Sequence, residues 1–258
     1  MYKQSKRVAA IVAAMTAFTL AAVLQAQEGA RDQGAVLVEL FTSEGCSSCP
    51  PADALLRLVN GSRTSAGLLV VGISEHVTYW NQLGWSDPYS SPVYTERQNA
   101  YGLRFQLDGV YTPQMVINGA EQIVGSDRAA LAQAVQKEEE QKPRMSLRIL
   151  SLSVAQDKVT VRFSAGGDVP AKGVDVIAVL ADDSDKSNVL HGENSGRLLA
   201  HVSVARSISR VGKVQAAGER TVQIQIPSTF QASQGHHLIL FAQTPGNGRV
   251  LGTDTKPL

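Results

Sequence analysis

The chain contains one closely spaced pair of cysteines and no other cysteine. Cys46 and Cys49 are separated by two serines in a sequence of 258 residues. An apolar, β-branched run at residues 35–41 predicts a buried strand before the pair, and an apolar pattern with helical spacing predicts a helix from residue 46 to about residue 60. Unpaired amides and the helix dipole stabilise a thiolate at a helix N-terminus, so this arrangement indicates redox chemistry.

The first residues have the three-part pattern of a secretory signal peptide. Lys3, Lys6 and Arg7 precede an uncharged, Ala-rich apolar run at residues 8–24, and the small Ala26 follows that run. The run is slightly short for a membrane-spanning helix of about 20 residues, although an uncleaved anchor is the alternative. We therefore expect residues 1–26 to be removed near Ala26, which predicts a secreted or periplasmic protein without a stable membrane anchor.

Export would place the thiol pair in an oxidising compartment. Disulfides persist there, so the pair would be either a stable disulfide or one that exchanges with partners. A disulfide that closes so short a loop constrains the unfolded chain very little, which weakens a purely structural interpretation.

Loss of three cationic residues with the signal peptide lowers the number of Lys and Arg residues from 24 to 21, against 23 Asp and Glu residues, which gives a formal charge of −2. This balance argues against nucleic acid or an anionic membrane surface as a partner.

The pattern of predicted elements changes near Pro143. Residues 35–142 predict a strand, the CxxC helix, a strand, an aromatic-rich helical insert at residues 75–105, a proline-led strand, a hairpin strand and a helix. Residues 146–258 instead show six strand patterns separated by Gly, Pro, Asp or Asn, which is typical of a sandwich or barrel. We therefore predict an α/β thioredoxin-like N-terminal domain and an all-β, sandwich-like C-terminal domain.

Four residues form the predicted catalytic site. Cys46 is the expected exposed nucleophile, and Cys49 is the thiol that resolves a mixed disulfide. The Thr112–Pro113 bond is of the type in which cis is accessible, and a cis proline faces the CxxC in thioredoxin-like proteins, so we predict cis rather than an ordinary trans proline. Glu39 is the one charged residue in its strand; it would relay protons to Cys49, unless it points outward at a sheet edge.

The substrate-binding residues are expected to surround these thiols. Backbone at Thr112 would pair with a substrate chain as an added strand. Trp80 and Trp85 would form a wall beside the CxxC, or would simply pack the insert onto the body. His76 follows the second strand and would approach the thiols, or would only satisfy local hydrogen bonds. The polar loop at residues 192–197 is either a tight turn or a latch near the thiols.

No cofactor and no metal site are predicted. A structural zinc site needs four ligands, whereas the chain has a single cysteine pair and five scattered histidines. Cu(I) favours soft thiolates, so a copper chaperone is one alternative function. A non-catalytic binding protein whose CxxC is locked as a disulfide is another.

Four segments carry a resemblance to a known family: residues 39–53, which include Glu-Gly-Cys-Ser-Ser-Cys-Pro-Pro-Ala-Asp, and residues 75–91, 111–119 and 191–197. They resemble the exported bacterial proteins of the domain of unknown function 1223 family, which is placed among thioredoxin-like proteins. The resemblance covers nearly all of the chain after residue 26 and implies the fold, the two-domain layout and export. Ser-Ser between the cysteines and the enlarged insert depart from working thioredoxins, which leaves the redox potential open. We expect an exported thiol–disulfide oxidoreductase that acts on protein thiols or disulfides or on a redox partner protein.

Overall fold

The computed structural model describes residues 34–141, 145–230 and 235–258. The expected cleavage site at Ala26 and the expected domain boundary at Pro143 lie outside these residues and stay predictions. Among the described residues, no helix combines the length and the apolar character that crossing a membrane requires. Residues Ala35–Leu258 form one compact unit.

The first part of the chain alternates strands and helices, and the second part consists of strands. The first part comprises β1 (Ala35–Thr42), α1 (Pro50–Val59), β2 (Leu69–His76), a short 3-10 helix (Asn81–Leu83), α2 (Pro92–Arg104), β3 (Gln114–Ile117), β4 (Glu121–Val124) and α3 (Arg128–Glu139). The second part comprises β5 (Met145–Ala155), β6 (Lys158–Gly167), β7 (Val174–Asn188), β8 (Leu198–Val214), β9 (Gly218–Gln225), β10 (His236–Gln243) and β11 (Val250–Pro257). The sequence pattern does not predict β11, in which Gly, Asp and Lys obscure the alternation.

Local sequence signals account for the helix boundaries. α1 begins with two prolines, whose missing N–H groups cost little in a first turn. The Ser91 hydroxyl caps α2 by accepting from the amide of Val93, and the Asp127 carboxylate caps α3 by accepting from the amide of Ala130. α1 begins at Pro50. Cys46 therefore lies in the turn before the helix, whereas the sequence pattern predicts that the helix starts at Cys46.

The predicted fold class is wrong. The described residues are mostly β, and one mixed sheet of eight strands, in the order β11-β10-β7-β8-β2-β1-β3-β4, takes strands from both parts of the chain. A second sheet contains only β5, β6 and β9 among the described strands. The two parts therefore do not form a thioredoxin-like domain and a separate sandwich.

In the strand pairing of the described residues, β2 and β8 join the two parts of the large sheet in parallel, and the sequence pattern could not reveal this pairing. β1 and β2 pair in parallel over their whole length, whereas β2 meets β8 at the pair Ser74 and Val204. Hydrophobic periodicity tells which residues are buried in a strand, but it does not tell which other strand pairs with it.

The alternation of side chains along β1 decides what each face of the sheet contacts. Val36, Val38 and Leu40 pack with α1 and α3 on one face. Leu37 packs on the other face in a cluster with Tyr94 of α2. A further apolar cluster joins the small sheet to one face of β7 and β10. Each of these buried side chains contributes roughly 1.5–3 kcal/mol relative to an exposed one.

Candidate redox site

Cys46 and Cys49 form a disulfide in the turn that leads from β1 into α1. The amide of Cys46 donates to the carbonyl of Ser43, and the amide of Cys49 donates to the carbonyl of Cys46. Cys49 is the N-cap of α1, and its carbonyl accepts from the amide of Asp53 at 3.1 Å. The short sequence signals seen in the chain, an apolar strand and a proline-led helix, thus place the sulfur pair at a helix N-terminus.

The predicted exposure of Cys46 is wrong, because both cysteines have an exposed fraction of 0%. In this arrangement a partner has no direct access to either sulfur. The spacing of the two cysteines cannot report this burial, because the covering residues come from distant parts of the chain.

A loop between β7 and β8, residues 189–197, lies on the CxxC turn, and we call it the cap loop. The amide of Ser47 donates to Oε2 of Glu193 at 3.0 Å. The Asn194 side-chain amide donates to the carbonyl oxygens of Glu44 and Cys46 at 2.8 and 2.9 Å, and Asn194 is completely buried. Arg197 in turn donates to Oδ1 of Asn194 at 3.0 Å. Of the two interpretations of residues 192–197, the geometry favours the latch.

The two tryptophans of the insert flank the same turn. Trp80 Nε1 donates to the Thr112 hydroxyl at 2.7 Å, and a Cβ on Gly45 would lie 3.0 Å from the Trp80 Cβ. A larger residue next to Cys46 is therefore unfavourable, because the Trp80 side chain would have to move by a few tenths of an ångström. Trp85 Nε1 donates to Oε2 of Glu44 at 2.8 Å, and the Trp85 side chain lies beside Gly192 of the cap loop.

Thr112–Pro113 is a cis peptide bond, as the sequence predicts. Pro113 lies near the first turn of α1, because a Cβ on Gly125 would be 3.1 Å from the Pro113 Cβ and 3.2 Å from the Ala52 Cβ. Thr112 is held by Trp80 at 2.7 Å, so the structure brings Thr112, Pro113 and Trp80 to the border of the CxxC turn.

The structure does not bring Glu39 to the thiols. Its carboxylate is completely buried, where it accepts from Arg97 Nε at 2.5 Å and from the Tyr101 hydroxyl at 2.6 Å. Arg97 and Tyr101 belong to α2, whereas α1 packs on the face of β1 formed by Val38 and Leu40. Because successive side chains of a strand point to opposite faces, Glu39 lies on the face away from α1. The expected proton relay from Glu39 to Cys49 has no support in this geometry.

A different group of ionisable side chains lies beside the CxxC. His201 of β8 is between two carboxylates: its Nε2 is 3.3 Å from Oε1 of Glu44, and its Nδ1 is 3.7 Å from Oδ1 of Asp53. Asp53 also accepts from the Thr42 hydroxyl at 3.0 Å. Sequence reasoning missed His201, which is 157 residues from Glu44 in the chain. The available signal was Glu44 itself, an acid two residues before Cys46.

The two carboxylates keep His201 charged. Burial alone would lower the pKa of His201, but its hydrogen bonds and electrostatic attraction to Asp53 and Glu44 raise this pKa to about 10. The imidazole ring therefore carries a proton on both nitrogens at neutral pH. This buried imidazolium is next to the turn that holds the disulfide.

His76 joins this group from the end of β2. Its Nδ1 is 2.7 Å from Oδ2 of Asp87, and its ring centroid is 4.7 Å from that of His201. The same Asp87 oxygen accepts from the amide of Glu44 at 2.8 Å. Burial would raise the pKa of Asp87, but the attraction of His76 and these hydrogen bonds lower it below its ordinary value. His76 thus fixes the backbone before Cys46 through Asp87.

A serine–histidine–aspartate chain elsewhere in the sheet is structural. Ser203 Oγ is 3.0 Å from His237 Nε2, and His237 Nδ1 is 2.5 Å from Oδ1 of Asp183. However, Ser203 is completely buried and its hydroxyl donates to the carbonyl of Gly72 at 2.6 Å. The hydroxyl proton is therefore not directed at the histidine, which is what an activated nucleophile would require. The chain of hydrogen bonds joins β2, β7, β8 and β10.

The described residues contain no cluster of three or more His, Cys, Asp or Glu side chains arranged to hold a metal ion. The two thiols that would suit Cu(I) are joined in the disulfide. The copper chaperone therefore stays a prediction from the sequence alone.

The fold and the site define a protein with a mixed sheet and a single disulfide at the start of a helix. The family described as "Protein of unknown function (DUF1223)" matches residues 37–243, and the chain belongs to this family. This result confirms the family that the sequence resembles, whereas export stays a prediction. No curated protein matches the chain.

Two of the matching solved structures share the arrangement of most of this chain. The protein AGR_C_4864 from Agrobacterium tumefaciens is 28% identical, with a TM-score of 0.65 over 85% of this chain and 92% of that one. HBP35 of Porphyromonas gingivalis is 15% identical, with a TM-score of 0.65 over 88% of this chain and 76% of that one, and this likeness concerns the fold alone. Both similarities extend across the two parts of the chain, in agreement with the corrected fold class.

Proposed function

We propose that the protein is an exported thiol–disulfide oxidoreductase whose Cys46–Cys49 disulfide exchanges with protein thiols after the cap loop moves away. The observation that carries this proposal is the disulfide at the N-terminus of α1, in a turn whose backbone the cap loop contacts through polar groups. Cap-loop residues other than Val189 and Asn194 are exposed. A segment with so few buried apolar contacts opens at a small fraction of the cost of global unfolding.

A purely structural role for the disulfide explains less of the site. A disulfide that closes a loop with only two residues between the cysteines stabilises the folded protein very little, because this stabilisation grows with loop length. Meanwhile the turn is surrounded by buried ionisable groups, Glu44, Asp53 and His201, whose desolvation is unfavourable. Clusters of this kind are enriched at functional sites.

The exchange itself needs only thiol chemistry. A thiolate of the partner attacks Sγ of Cys46, the bond to Cys49 breaks, and its electron pair stays on Sγ of Cys49. A second partner thiol then attacks the mixed disulfide, which releases an oxidised partner and the reduced pair. Cys46 is the expected point of attack because it lies in the turn, next to small serines, whereas Cys49 caps the helix. The backbone at Thr112 and Pro113, with Trp80 and Trp85, would receive the partner chain.

A second candidate function is a non-catalytic binding protein with a locked disulfide. The observation that favours it is the complete burial of both cysteines. The reduction potential separates the two functions, because structural disulfides typically lie below about −300 mV and exchanging ones lie higher.

Covalent trapping tests the leading proposal. A Cys49→Ala variant cannot resolve a mixed disulfide, so partner proteins should stay attached to Cys46 in extracts of the exporting cell. The matched Cys46→Ala variant should retain far less, because its remaining cysteine is the helix cap. If both variants stay free of attached protein while the wild-type potential lies below the range of exchanging disulfides, the binding protein is the better description.

A further inference from the structure

Two consecutive residues of the cap loop, Glu193 and Asn194, bind the backbone of the CxxC turn through their side chains. The Glu193 carboxylate accepts from the amide of Ser47. The Asn194 side-chain nitrogen donates to the carbonyls of Glu44 and Cys46. A partner that displaces the loop has to replace these hydrogen bonds, because backbone polar groups that lose their partners away from water are unfavourable.

The two carbonyls converge on a single nitrogen atom. Nδ2 of Asn194 is 2.8 Å from the carbonyl oxygen of Glu44 and 2.9 Å from that of Cys46, so its two hydrogens serve one oxygen each. A backbone N–H has a single hydrogen, which serves only one of the two oxygens well. The position therefore fits a donor with at least two N–H bonds, such as a side-chain carboxamide or an ammonium group.

Arg197 discriminates between these two donors. Its Nη1 donates to Oδ1 of Asn194 at 3.0 Å, so the guanidinium faces the position that a replacing group would take. A carboxamide offers an oxygen to this cation, whereas a lysine ammonium has no acceptor and would be repelled. Arg197 also belongs to the base of the cap loop, where its carbonyl accepts from the amide of Val189 at 3.0 Å. We therefore expect Arg197 to stay near the turn when the tip of the loop moves.

The tip of the cap loop has glycines at both ends and apolar side chains at its border. Gly192 and Gly196 flank the tip with φ angles of 76° and 79°, which L side chains rarely adopt. Leu190 has an exposed fraction of 65%, and Leu83, whose carbonyl lies beside Gly192, has one of 57%. Apolar side chains next to displaceable polar contacts suit a polypeptide partner, which supplies both kinds of group.

We propose that Glu193 and Asn194 occupy the binding site of the partner, and that the partner is an extended polypeptide segment whose reacting cysteine lies near an asparagine or glutamine. The carboxamide of that residue takes the place of the Asn194 side chain, between the carbonyls of the turn and Arg197. A carbonyl oxygen of the segment takes the place of the Glu193 carboxylate at the amide of Ser47. This inference rests on the proposed function and names the partner class and the autoinhibitory contact of the same site.

Short synthetic dithiol peptides that differ in a single side chain test this inference. Their other residues are alanine or glycine, and Asn, Gln, Asp or Lys replaces alanine in turn at each position near the first cysteine. The second-order rate constant for reduction of the Cys46–Cys49 disulfide is measured for each peptide. At one position or more, Asn or Gln should raise this constant about tenfold over Ala, because the carboxamide adds hydrogen bonds. Asp lacks the donor and Lys is repelled by Arg197, so neither should raise it.

Two protein variants show whether the preference arises at this site. Arg197→Ala removes the cation that donates to the carboxamide oxygen, so the preference should fall to about twofold or less. His191→Gln is the matched control, because His191 is exposed in the same loop, and it should keep the tenfold preference. Equal constants for all peptides, a Lys peptide as fast as the Asn and Gln peptides, or an unchanged preference in Arg197→Ala would overturn the inference.

A binding measurement separates this inference from the proposed function. Peptides with serine in place of both cysteines cannot exchange, so calorimetric titration into the Asn194→Ala protein reports only binding to the turn. The preferred carboxamide peptide should bind about tenfold more tightly than its Asp counterpart. If Asn194→Ala does not fold, Glu193→Ala, a change at an exposed position, is titrated instead. This preference with an empty covalent trap would contradict only the proposed function, whereas a filled trap without any preference would contradict only this inference.

Discussion

Two buried acids from the same short stretch of chain, Glu39 and Glu44, have opposite surroundings. Glu39 is in β1 and is fully engaged by Arg97 and Tyr101 on the α2 face of the sheet. Glu44 is in the following turn and shares His201 with Asp53, so that each imidazole nitrogen faces one carboxylate, at 3.3 and 3.7 Å. Burial of charge is common to both, so burial alone does not identify a reactive site. The second group differs in being next to the turn that holds the disulfide and in placing a histidine between two carboxylates.

The largest expected effect is on the stability supplied by the Glu39 group. Arg97→Met would leave Glu39 and Glu75 buried without their cation, and breaking such a buried pair lowers the free energy of unfolding by about 3–5 kcal/mol. Urea denaturation of the oxidised protein measures this loss. Arg162→Met is the control, because its ion pair with Glu219 is exposed and contributes about 0–1 kcal/mol. Similar losses in the two variants would contradict the assignment of a structural role to the Arg97 group.

The pH dependence of the Glu39 group gives the next largest effect. Burial, and then the charge of Glu39, raise the pKa of Glu75 well above its ordinary value of 4.5 despite Arg97. When the pKa of a group is higher in the folded protein than in the unfolded protein, the group stabilises the fold. This contribution is complete below the unfolded-state pKa and is lost as the pH rises through the folded-state pKa. Above the pKa that Glu75 has in the unfolded protein, the free energy of unfolding should therefore fall by up to about 1.4 kcal/mol per pH unit. Glu75→Gln should remove this pH dependence.

Thermal melts at pH 5, 6, 7 and 8 compare Glu75→Gln with the wild type. Glu121→Gln serves as the control, because Glu121 lies in an exposed ion pair with Lys137. Parallel stability curves for the wild type and Glu75→Gln would show that Glu75 has the same protonation in the folded and unfolded chain.

A smaller effect is expected at the cap loop, and it concerns reactivity rather than stability. Asn194→Ala removes the hydrogen bonds to the carbonyls of Glu44 and Cys46, each with a net contribution of about 0.5–1.5 kcal/mol. Reduction by dithiothreitol should become roughly tenfold faster, since 1.4 kcal/mol corresponds to a factor of ten in the opening equilibrium. Ser195→Ala, in the same loop, loses only an exposed bond to Leu190 and should react like the wild type. Equal rates for the two variants would mean that the loop does not limit access.

The smallest effect distinguishes the two tryptophans. Trp85→Phe and Trp80→Phe each lose one side-chain hydrogen bond, to Glu44 and Thr112 respectively, and each should lower stability by about 0.5–1.5 kcal/mol. Only Trp85→Phe should also alter the pH dependence of the reduction rate, because only Trp85 contacts the Glu44 carboxylate. If Trp80→Phe changed the pH dependence of the reduction rate as much as Trp85→Phe, the effect could not be assigned to the Glu44 carboxylate.

Much of the local structure could be predicted from the sequence. The proline-led start of α1, the Asp127 cap of α3 and the cis bond before Pro113 each depend on residues that are close in the chain. The alternation of side chains along a strand also places Glu39 and Leu40 on opposite sides of the sheet. It could not show which side α1 covers, and the predicted role of Glu39 depended on that choice.

The sequence by itself determined a thiol pair at the start of a helix, the order of strands and helices around it, and the family. Those features follow from short-range stereochemistry and from side-chain periodicity, which act over a few residues. Only the tertiary structure decided that both parts of the chain share one sheet, that the cap loop contacts the CxxC turn, and that His201 lies between Glu44 and Asp53. These contacts join residues up to 157 positions apart, and strand pairing and packing of the complete chain create them.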